Sequence, residues 1–302
     1  MNERGLVAVA GYTSLDRSFL AERLPRDGET SILTGEAVPP LRWGGCAPNV
    51  ALWLRRLGVP VALVAWLGRD EGGRRYRDRL QRAGVDLRGL ATGDGPTPRS
   101  VLVYTKDGEG SCLFHPSGAD DQAFDVPDLV HEAGWVAITV GAAKLTRSLL
   151  ESVDRVSSRE RMRVAWDVKA DRRAFPPDLV DRLARADFVH LNQSETVFVG
   201  DGLGLGRPAV PQDLLELGAG IVALTRGSAG ATVVWPDGRR DLEAEPIPAP
   251  DPTGAGDAFM AGALAGLRGG DGPAEAAERG MGVAARFLRG EGREAAVPEG
   301  GS

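Results

Sequence analysis

The chain has 302 residues, 42% of them hydrophobic, and a formal net charge of −6; this allows one large α/β domain or two modest ones, and it argues against nucleic acid or an anionic membrane as main partner, since either calls for a basic face. Phosphate, if bound, must be held locally. Two cysteines, Cys46 and Cys112, make no disulfide framework or metal spacing, and a start without a basic n-region and long apolar run leads us to expect a soluble cytoplasmic protein.

In chain order, strands are predicted at 6–10, 61–66, 135–140, 164–168, 188–191 and 221–224, where short β-branched or small apolar runs occur. Helices are predicted between them at 49–57, 71–83, 146–156, 178–185 and 211–217, from apolar residues at helical spacing, with further helices at 258–264 and 274–289. Such alternation implies a mostly parallel, doubly wound sheet covered on both faces. Two regions break it: 14–42, and 99–115, where 100–104 and 111–114 flank a Lys106-Asp107-Gly108-Glu109-Gly110 turn as a hairpin does. They are expected to form an antiparallel flap. Residues 231–235 and 240–244 predict an antiparallel edge, and the tail 293–302 is expected to fray.

The chemistry concentrates in Asp251-Pro252-Thr253-Gly254-Ala255-Gly256-Asp257-Ala258-Phe259. Gly254 and Gly256 leave backbone N–H groups uncovered, and the first N–H groups of the following helix lack intrahelical partners. Those donors, with the positive end of the helix dipole, suit a phosphate in a charged transition state. Asp257 lies in the first turn, where its ionised form is favoured, and is placed to act as general base toward a hydroxyl. The plainer reading is a glycine-rich loop whose aspartate only complements the dipole.

Trp43-Gly44-Gly45-Cys46-Ala47-Pro48-Asn49-Val50-Ala51 combines two glycines with an amide that both donates and accepts, which suits a polyol; it also reads as a loop with Asn49 as helix cap. Asp16 follows the first strand, where open α/β sheets place ligand groups, though an isolated aspartate there equally marks a surface turn. Asn192-Gln193-Ser194-Glu195 fits a capping box as well as a ligand site. The Thr225-Arg226-Gly227-Ser228-Ala229-Gly230 turn ends another strand, and Arg226 reads as a phosphate contact or a solvated side chain. His115, His131 and His190 are scattered and read as surface or packing histidines. The sequence has no P-loop, protein-kinase catalytic loop or dinucleotide fingerprint.

The run 251–259 resembles the C-terminal signature of the ribokinase-like (PfkB) family of carbohydrate and nucleoside kinases, D-T/P-T-G-A-G-D-x-F, without a break, and 44–51 resembles its G-G-x-x-x-N-x-A signature. The resemblance implies that Gly254, Ala255 and Gly256 form the anion hole for the γ-phosphate of ATP and that Asp257 is the base. It implies that Asp16, Gly44, Gly45 and Asn49 hold the acceptor, supported by Leu24-Pro25-Arg26-Asp27-Gly28-Glu29-Thr30, which resembles the family's P-R-x-G-E-T lid segment. Asn192 and Glu195 match N-x-x-E, tied to Mg²⁺ and phosphate, with Glu195 acting directly or through water. Thr225, Gly227 and Gly230 match T-x-G-x-x-G beside the nucleotide, with the adenine near Gly282 and Ala285.

By the same resemblance the fold is a single domain over 1–302, with a small antiparallel β lid from 14–42 and 99–115 that also serves as a homodimer interface. K⁺ is implied near 251–253. The reaction implied is phosphoryl transfer from Mg-ATP to a sugar hydroxyl, with nucleoside or sugar-phosphate acceptors as alternatives and a non-catalytic sugar-binding regulator as a reading of another class. Where many fructokinase-like members have D-x-N-x-R, this chain has Asp167-Val168-Lys169-Ala170-Asp171, which puts fructose and ketodeoxygluconate in doubt. Lys169, Arg99 or Lys144 are candidates to contact an anionic acceptor, and Trp43, Tyr104 and Phe114 either stack on a nucleobase or form the underside of the lid.

Overall fold

Small and β-branched apolar runs build the centre of the molecule, described here from a computed structural model covering residues 5–35, 40–107, 110–122, 124, 127–155, 162–248 and 252–292. Parts of the expected flap (36–39), hairpin turn (108–109), helix 146–156 (Val156) and glycine-rich run (Asp251), and the tail 293–302, lie outside the described residues. In chain order the elements are β1 (Leu6–Ala10), β2 (Ser14–Ala21), β3 (Arg42–Gly44), α1 (Cys46–Arg56), β4 (Val61–Gly68), α2 (Glu71–Arg82), β5 (Leu90–Gly93), β6 (Arg99–Thr105) and β7 (Gly110–His115). They continue with α3 (Pro127–Glu132), β8 (Ala133–Ile138), α4 (Ala143–Arg155), β9 (Arg163–Asp167), α5 (Pro177–Leu183), β10 (Phe188–Asn192), α6 (Glu195–Gly202) and α7 (Pro211–Leu217). The chain then forms β11 (Ile221–Thr225), β12 (Ala231–Trp235), β13 (Gly238–Leu242), α8 (Ala255–Gly269) and α9 (Pro273–Leu288).

Nine strands form one sheet in the order β13-β12-β11-β10-β9-β8-β1-β4-β5. All pairings from β11 through β5 are parallel, and β12 and β13 close one side as the expected antiparallel edge. Alternate residues of β1 serve the two faces: Ala8 and Ala10 join the core under α3 to α7, whereas Val7 and Val9 join the core under α1, α2, α8 and α9. Fully buried side chains such as Trp66, Trp166 and Phe259 each contribute about 1.5–3 kcal/mol of burial. Helices α8 and α9 approach so closely that a Cβ on Gly262 would lie 2.8 Å from Val283 and one on Gly280 would lie 2.9 Å from the Phe259 carbonyl. That contact fixes the helix carrying Asp257.

The second sheet has the order β3-β2-β6-β7. Its β2–β3 and β6–β7 pairings are antiparallel, while the central β2–β6 pairing is parallel. Asp70, the N-cap of α2, accepts from the Gly73 N–H at 2.8 Å and from the Thr97 N–H and hydroxyl at 3.0 and 2.6 Å, so one carboxylate starts the helix and anchors the entry to β6. No helix of the described residues is long and apolar enough to cross a membrane.

Candidate active site

The parallel strands β9, β10 and β11 end side by side, and their registers bring Asp167 next to His190 and Asn192 next to Thr225. Their carboxyl ends carry a continuous polar network. The Thr225 hydroxyl lies 3.3 Å from His190 Nε2, whose Nδ1 lies 2.7 Å from Asp167 Oδ1. Asp167 Oδ2 faces Lys169 Nζ at 3.3 Å, and Lys169 reaches Glu195 Oε1 at 3.8 Å. Glu195 Oε2 accepts the Asn192 N–H at 2.8 Å, and Asn192 Oδ1 accepts the Glu195 N–H at 3.0 Å. The capping-box reading of Asn192 and Glu195 is therefore realised, in a setting where the carboxylate is also buried beside a cation.

Electrostatics follow from burial. Desolvation alone would raise the Asp167 carboxyl, yet Lys169 and His190 outweigh it and hold it below the ordinary carboxylate range. Burial works against the Lys169 charge, but Asp167, with Cys46, Glu195 and Asp257, drives its pKa well above normal. Glu195 is pushed up, chiefly by burial and against the pull of Lys169. Lys169 thus compensates several carboxylates at once, its side chain still 27% exposed.

Across from this network, Asp257 sits in the first turn of α8, 5% exposed. Its Oδ2 accepts from Asn49 Nδ2 at 2.8 Å. The dipole argument expected an easily ionised group; burial reverses this and pushes the carboxyl up to about 6, with Lys169 pulling down and Asp167 pushing further up. Gly254 caps the helix at φ +98°. The Ala255 N–H is taken by the Pro252 carbonyl at 3.0 Å, and the first helical bond runs from the Ala258 N–H to Gly254 O at 3.0 Å. Among the described residues, the N–H groups of Gly254, Gly256 and Asp257 have no backbone acceptor, so they are left as donors at this helix start, whereas that of Ala255 is taken.

Helix α1 begins at Cys46 with Gly45 as N-cap. Asn49 is therefore inside the first turn and does not cap; its side chain is directed at Asp257. Gly45 has φ +96°, and a Cβ there would lie 2.4 Å from the Tyr12 carbonyl. Gly44 is required for a different reason: a Cβ would fall 1.8 Å from Asp16 Oδ2. Asp16 stands on β2 opposite Arg42 of β3, its carboxyl raised by burial and lowered by the Ser14 and Ser100 hydroxyls, and its Oδ1 is buried with no hydrogen-bond partner among the described residues. An acceptor of hydroxyl hydrogen bonds is thus held ready. A cavity of about 300 Å³ is lined by Asp16, Gly44, Asn49, Thr253 and Gly254, joining the expected acceptor residues to the glycine loop.

Several expectations change in this setting. Gly227 and Gly230 adopt φ +56° and +83° in the turn after β11, and Arg226, half-buried, donates to the Thr232 hydroxyl, which in turn donates to Asp241. Arg99 lies 3.4 Å from Asp70, and Lys144 is exposed on α4, so neither lines the cavity. Among the described residues the basic side chains lining the cavity are instead Arg42, Arg56 and Arg79, which motif reading passed over. Trp43 packs on Tyr76 at 4.9 Å and lines the cavity, Phe114 packs on Tyr12 at 4.8 Å, and the Tyr104 hydroxyl meets Thr253 Oγ1 at 2.7 Å, linking the smaller sheet to the glycine loop. His190 packs on Phe259 at 4.8 Å as a core histidine, but its two ring nitrogens also join the network. It is the central residue of β10, a position that carries no signal in the sequence.

A doubly wound sheet with a small lid sheet and a glycine-rich helix start facing a buried aspartate defines a small-molecule kinase of the ribokinase fold. Residues 5–299 match the model of the pfkB family of carbohydrate kinases, and the chain belongs to that family. It is 31% identical over 274 residues to the ATP-dependent ribose-1-phosphate kinase of Halopiger xanaduensis, covering 86% of this chain and 83% of that one. It is 27% identical over 279 residues to the nucleoside kinase of Methanothermobacter thermautotrophicus, covering 89% and 84%. The structure of Burkholderia thailandensis nucleoside kinase in complex with inosine superposes with TM-score 0.83 at 20% identity, covering 97% of this chain and 94% of that one. The protein is accordingly an ATP-dependent phosphotransferase of the carbohydrate-kinase class.

Proposed function

We propose that the protein, as one ribokinase-like domain, transfers the γ-phosphoryl group of ATP to a hydroxyl of a sugar acceptor. The observation that carries this reading is the Asn49–Asp257 hydrogen bond of 2.8 Å, made where the acceptor cavity meets the helix start. Asp257 takes the hydroxyl proton as the oxygen attacks phosphorus. Asn49 orients that carboxylate, and Asp16, Gly44 and Gly45 shape the acceptor position. The N–H groups of Gly256 and Asp257, in the loop of Gly254 and Ala255, face the charge that spreads over the phosphoryl oxygens. Thr225, Gly227 and Gly230 border the nucleotide together with Asn192, and Gly282 on α9, where an added Cβ would meet nothing within 4 Å, leaves room for the base.

Among the described residues no group of three or more His, Cys, Asp or Glu can enclose a metal. The donor set fits an ion held mainly by nucleotide phosphates and waters, with Glu195 behind a water. Mg²⁺ bound there supplies neutralisation of the phosphate charge. K⁺ at the loop 251–253, a homodimer through the smaller sheet and a cytoplasmic location belong to the same reading.

The cavity aromatics Trp43, Trp53 and Phe287, with the nucleoside kinase relative, favour a second reading in which the acceptor is a nucleoside. ATP consumption with Mg²⁺ across sugars, sugar phosphates and nucleosides, with Asp257→Asn as control, tests both. Turnover on one class that is lost in the variant supports the kinase and picks the branch; sugar binding with no turnover on any class favours the regulator.

A further inference from the structure

Alternation along β10 puts Val189 and Leu191 in the core under α3 to α7 and Phe188 in the core under α8, so His190 faces α8 as well. Packing alone would be served there by a leucine or a phenylalanine. His190 is 1% exposed, and a buried imidazole costs stability unless both of its nitrogens find partners. Both do. The strand register sets His190 directly beside Asp167, which is held below the ordinary carboxylate range despite its burial, and Nδ1 lies 2.7 Å from Asp167 Oδ1. With the ring oriented by that bond, Nε2 lies 3.3 Å from the Thr225 hydroxyl, whose other neighbour is the Leu191 carbonyl at 3.4 Å. The same ring also supports the helix that carries the base. It packs on Phe259 at 4.8 Å, and a Cβ placed on Gly256 would lie 3.5 Å from His190 Cε1, so the edge of the imidazole between its two nitrogens runs beneath the first turn of α8.

We infer that His190 is a positioning residue for the nucleotide: held by Asp167, it orients the Thr225 hydroxyl and keeps the turn after β11 in place against the Gly256 end of α8. This rests on the reading that puts the donor nucleotide beside Thr225 and the glycine loop, and it adds to that reading a residue that no motif singles out. The turn and the helix start belong to separate elements, and one buried ring touches both. A hydroxyl whose orientation is set before the ligand arrives loses less freedom on binding it, so the fixed ring favours nucleotide affinity. The competing assignment is a buried pair that only ties β9 to β10. It predicts lost stability with no change in nucleotide binding.

The test measures ATP binding by calorimetry without an acceptor, turnover by ADP release and stability by denaturant, in the native chain, His190→Phe, His190→Asn, His190→Gln, Thr225→Val and the double variant His190→Phe with Thr225→Val. Phenylalanine keeps a ring against Phe259 and Gly256 but removes both nitrogens, glutamine carries an amide towards the Nε2 position, and valine keeps the shape of threonine without its hydroxyl. The Kd for ATP is expected to rise about fivefold to tenfold in His190→Phe and in Thr225→Val, with the double variant no weaker than the poorer single one. His190→Gln recovers most of the affinity, and acceptor KM moves less than about twofold throughout. His190→Asn keeps a donor for Asp167 but stops short of Thr225; it is expected to show the same loss, and it replaces His190→Phe in the cycle if that variant fails to fold. Losses that multiply in the double variant, an acceptor KM that rises with the Kd for ATP, or lowered stability at unchanged ATP affinity would each overturn the inference. The expected pattern in a chain that consumes no ATP with any acceptor would reject the kinase reading and leave this inference standing. Unchanged ATP affinity in the variants of an active kinase rejects this inference alone, and a native chain that binds no ATP rejects both.

Discussion

Asp257→Asn should lose turnover and gain stability. The carboxyl is 5% exposed and is pushed from 3.8 up to about 6, by burial first, with Lys169 opposing and Asp167 assisting. Between those two pH values the folded chain keeps a proton that the unfolded chain has released. Stability therefore falls as pH rises through that window and stays lowered above it. At about 1.4 kcal/mol per pH unit, the gap of roughly 2 units disfavours the native state by about 3 kcal/mol near neutrality. Asparagine keeps the size, and its side-chain oxygen still accepts from Asn49, but it brings no charge to desolvate. The variant is expected to be more stable by up to about 3 kcal/mol at pH 8, or about 5 °C in Tm for a chain of this length. The gain should shrink as pH is lowered from about 6 towards 4. Turnover should fall by about 10²–10⁴-fold, and in the native chain kcat/KM should fall about tenfold per pH unit below about 6. Denaturant titrations at pH 8 and pH 5, beside an ADP-release assay, read both effects. A variant that is less stable at pH 8, whose gain ignores pH, or that stays fully active refutes the reasoning.

Lys169→Met should destabilise the chain by about 2 kcal/mol, the usual loss for a broken buried pair discounted for partial exposure. It should also move the acid limb of kcat/KM to higher pH, because Lys169 lowers the Asp257 carboxyl. Lys169→Arg should restore the limb; a limb that never moves would leave Lys169 a purely structural residue. Glu195→Gln retains an oxygen for the Asn192 N–H, so denaturation should barely change, while the Mg²⁺ concentration for half-maximal turnover rises about tenfold. An unchanged Mg²⁺ requirement removes Glu195 from the metal's surroundings. Gly44→Ala places a Cβ 1.8 Å from Asp16 Oδ2 and should raise acceptor KM about tenfold or more through the displaced carboxylate, with KM for ATP as the internal comparison; an unaltered acceptor KM would take Asp16 out of the acceptor site.

Strands were legible wherever a buried parallel strand must be apolar throughout, as with the run 61–66, which extends in the fold to Val61–Gly68. The strand Leu90–Gly93 escaped because two of its four residues are Ala and Gly, and α6 because its Thr-Val-Phe-Val sequence suits a strand equally well. Helix α1 starts three residues before its predicted position, since Gly45 at positive φ can cap where Asn49 was the obvious polar candidate. The parallel pairing of β2 with β6 joins segments far apart in sequence, and no local turn chemistry announces it. Residues in contiguous motifs stood out in one dimension, and the fold brings Asn49 to Asp257 and Gly44 against Asp16. Arg42, Arg56 and Arg79 stand on three elements in a chain rich in arginine, so nothing in one dimension distinguishes them from solvated cations.

The distribution of charge is the link between fold and chemistry. On the proposed reading, donor phosphates repel a carboxylate base, so catalysis requires local positive potential that the net charge of −6 does not supply. The fold provides it from three independent sources that never share a motif: the uncovered N–H groups of Gly254, Gly256 and Asp257, Lys169 amid its carboxylates, and the arginines of the cavity wall. Lys169 and the helix-start donors work over a few ångströms among buried groups, so their field is screened far less by salt than a surface patch of the same charge, whereas Arg42 and Arg56 are exposed and screened like one.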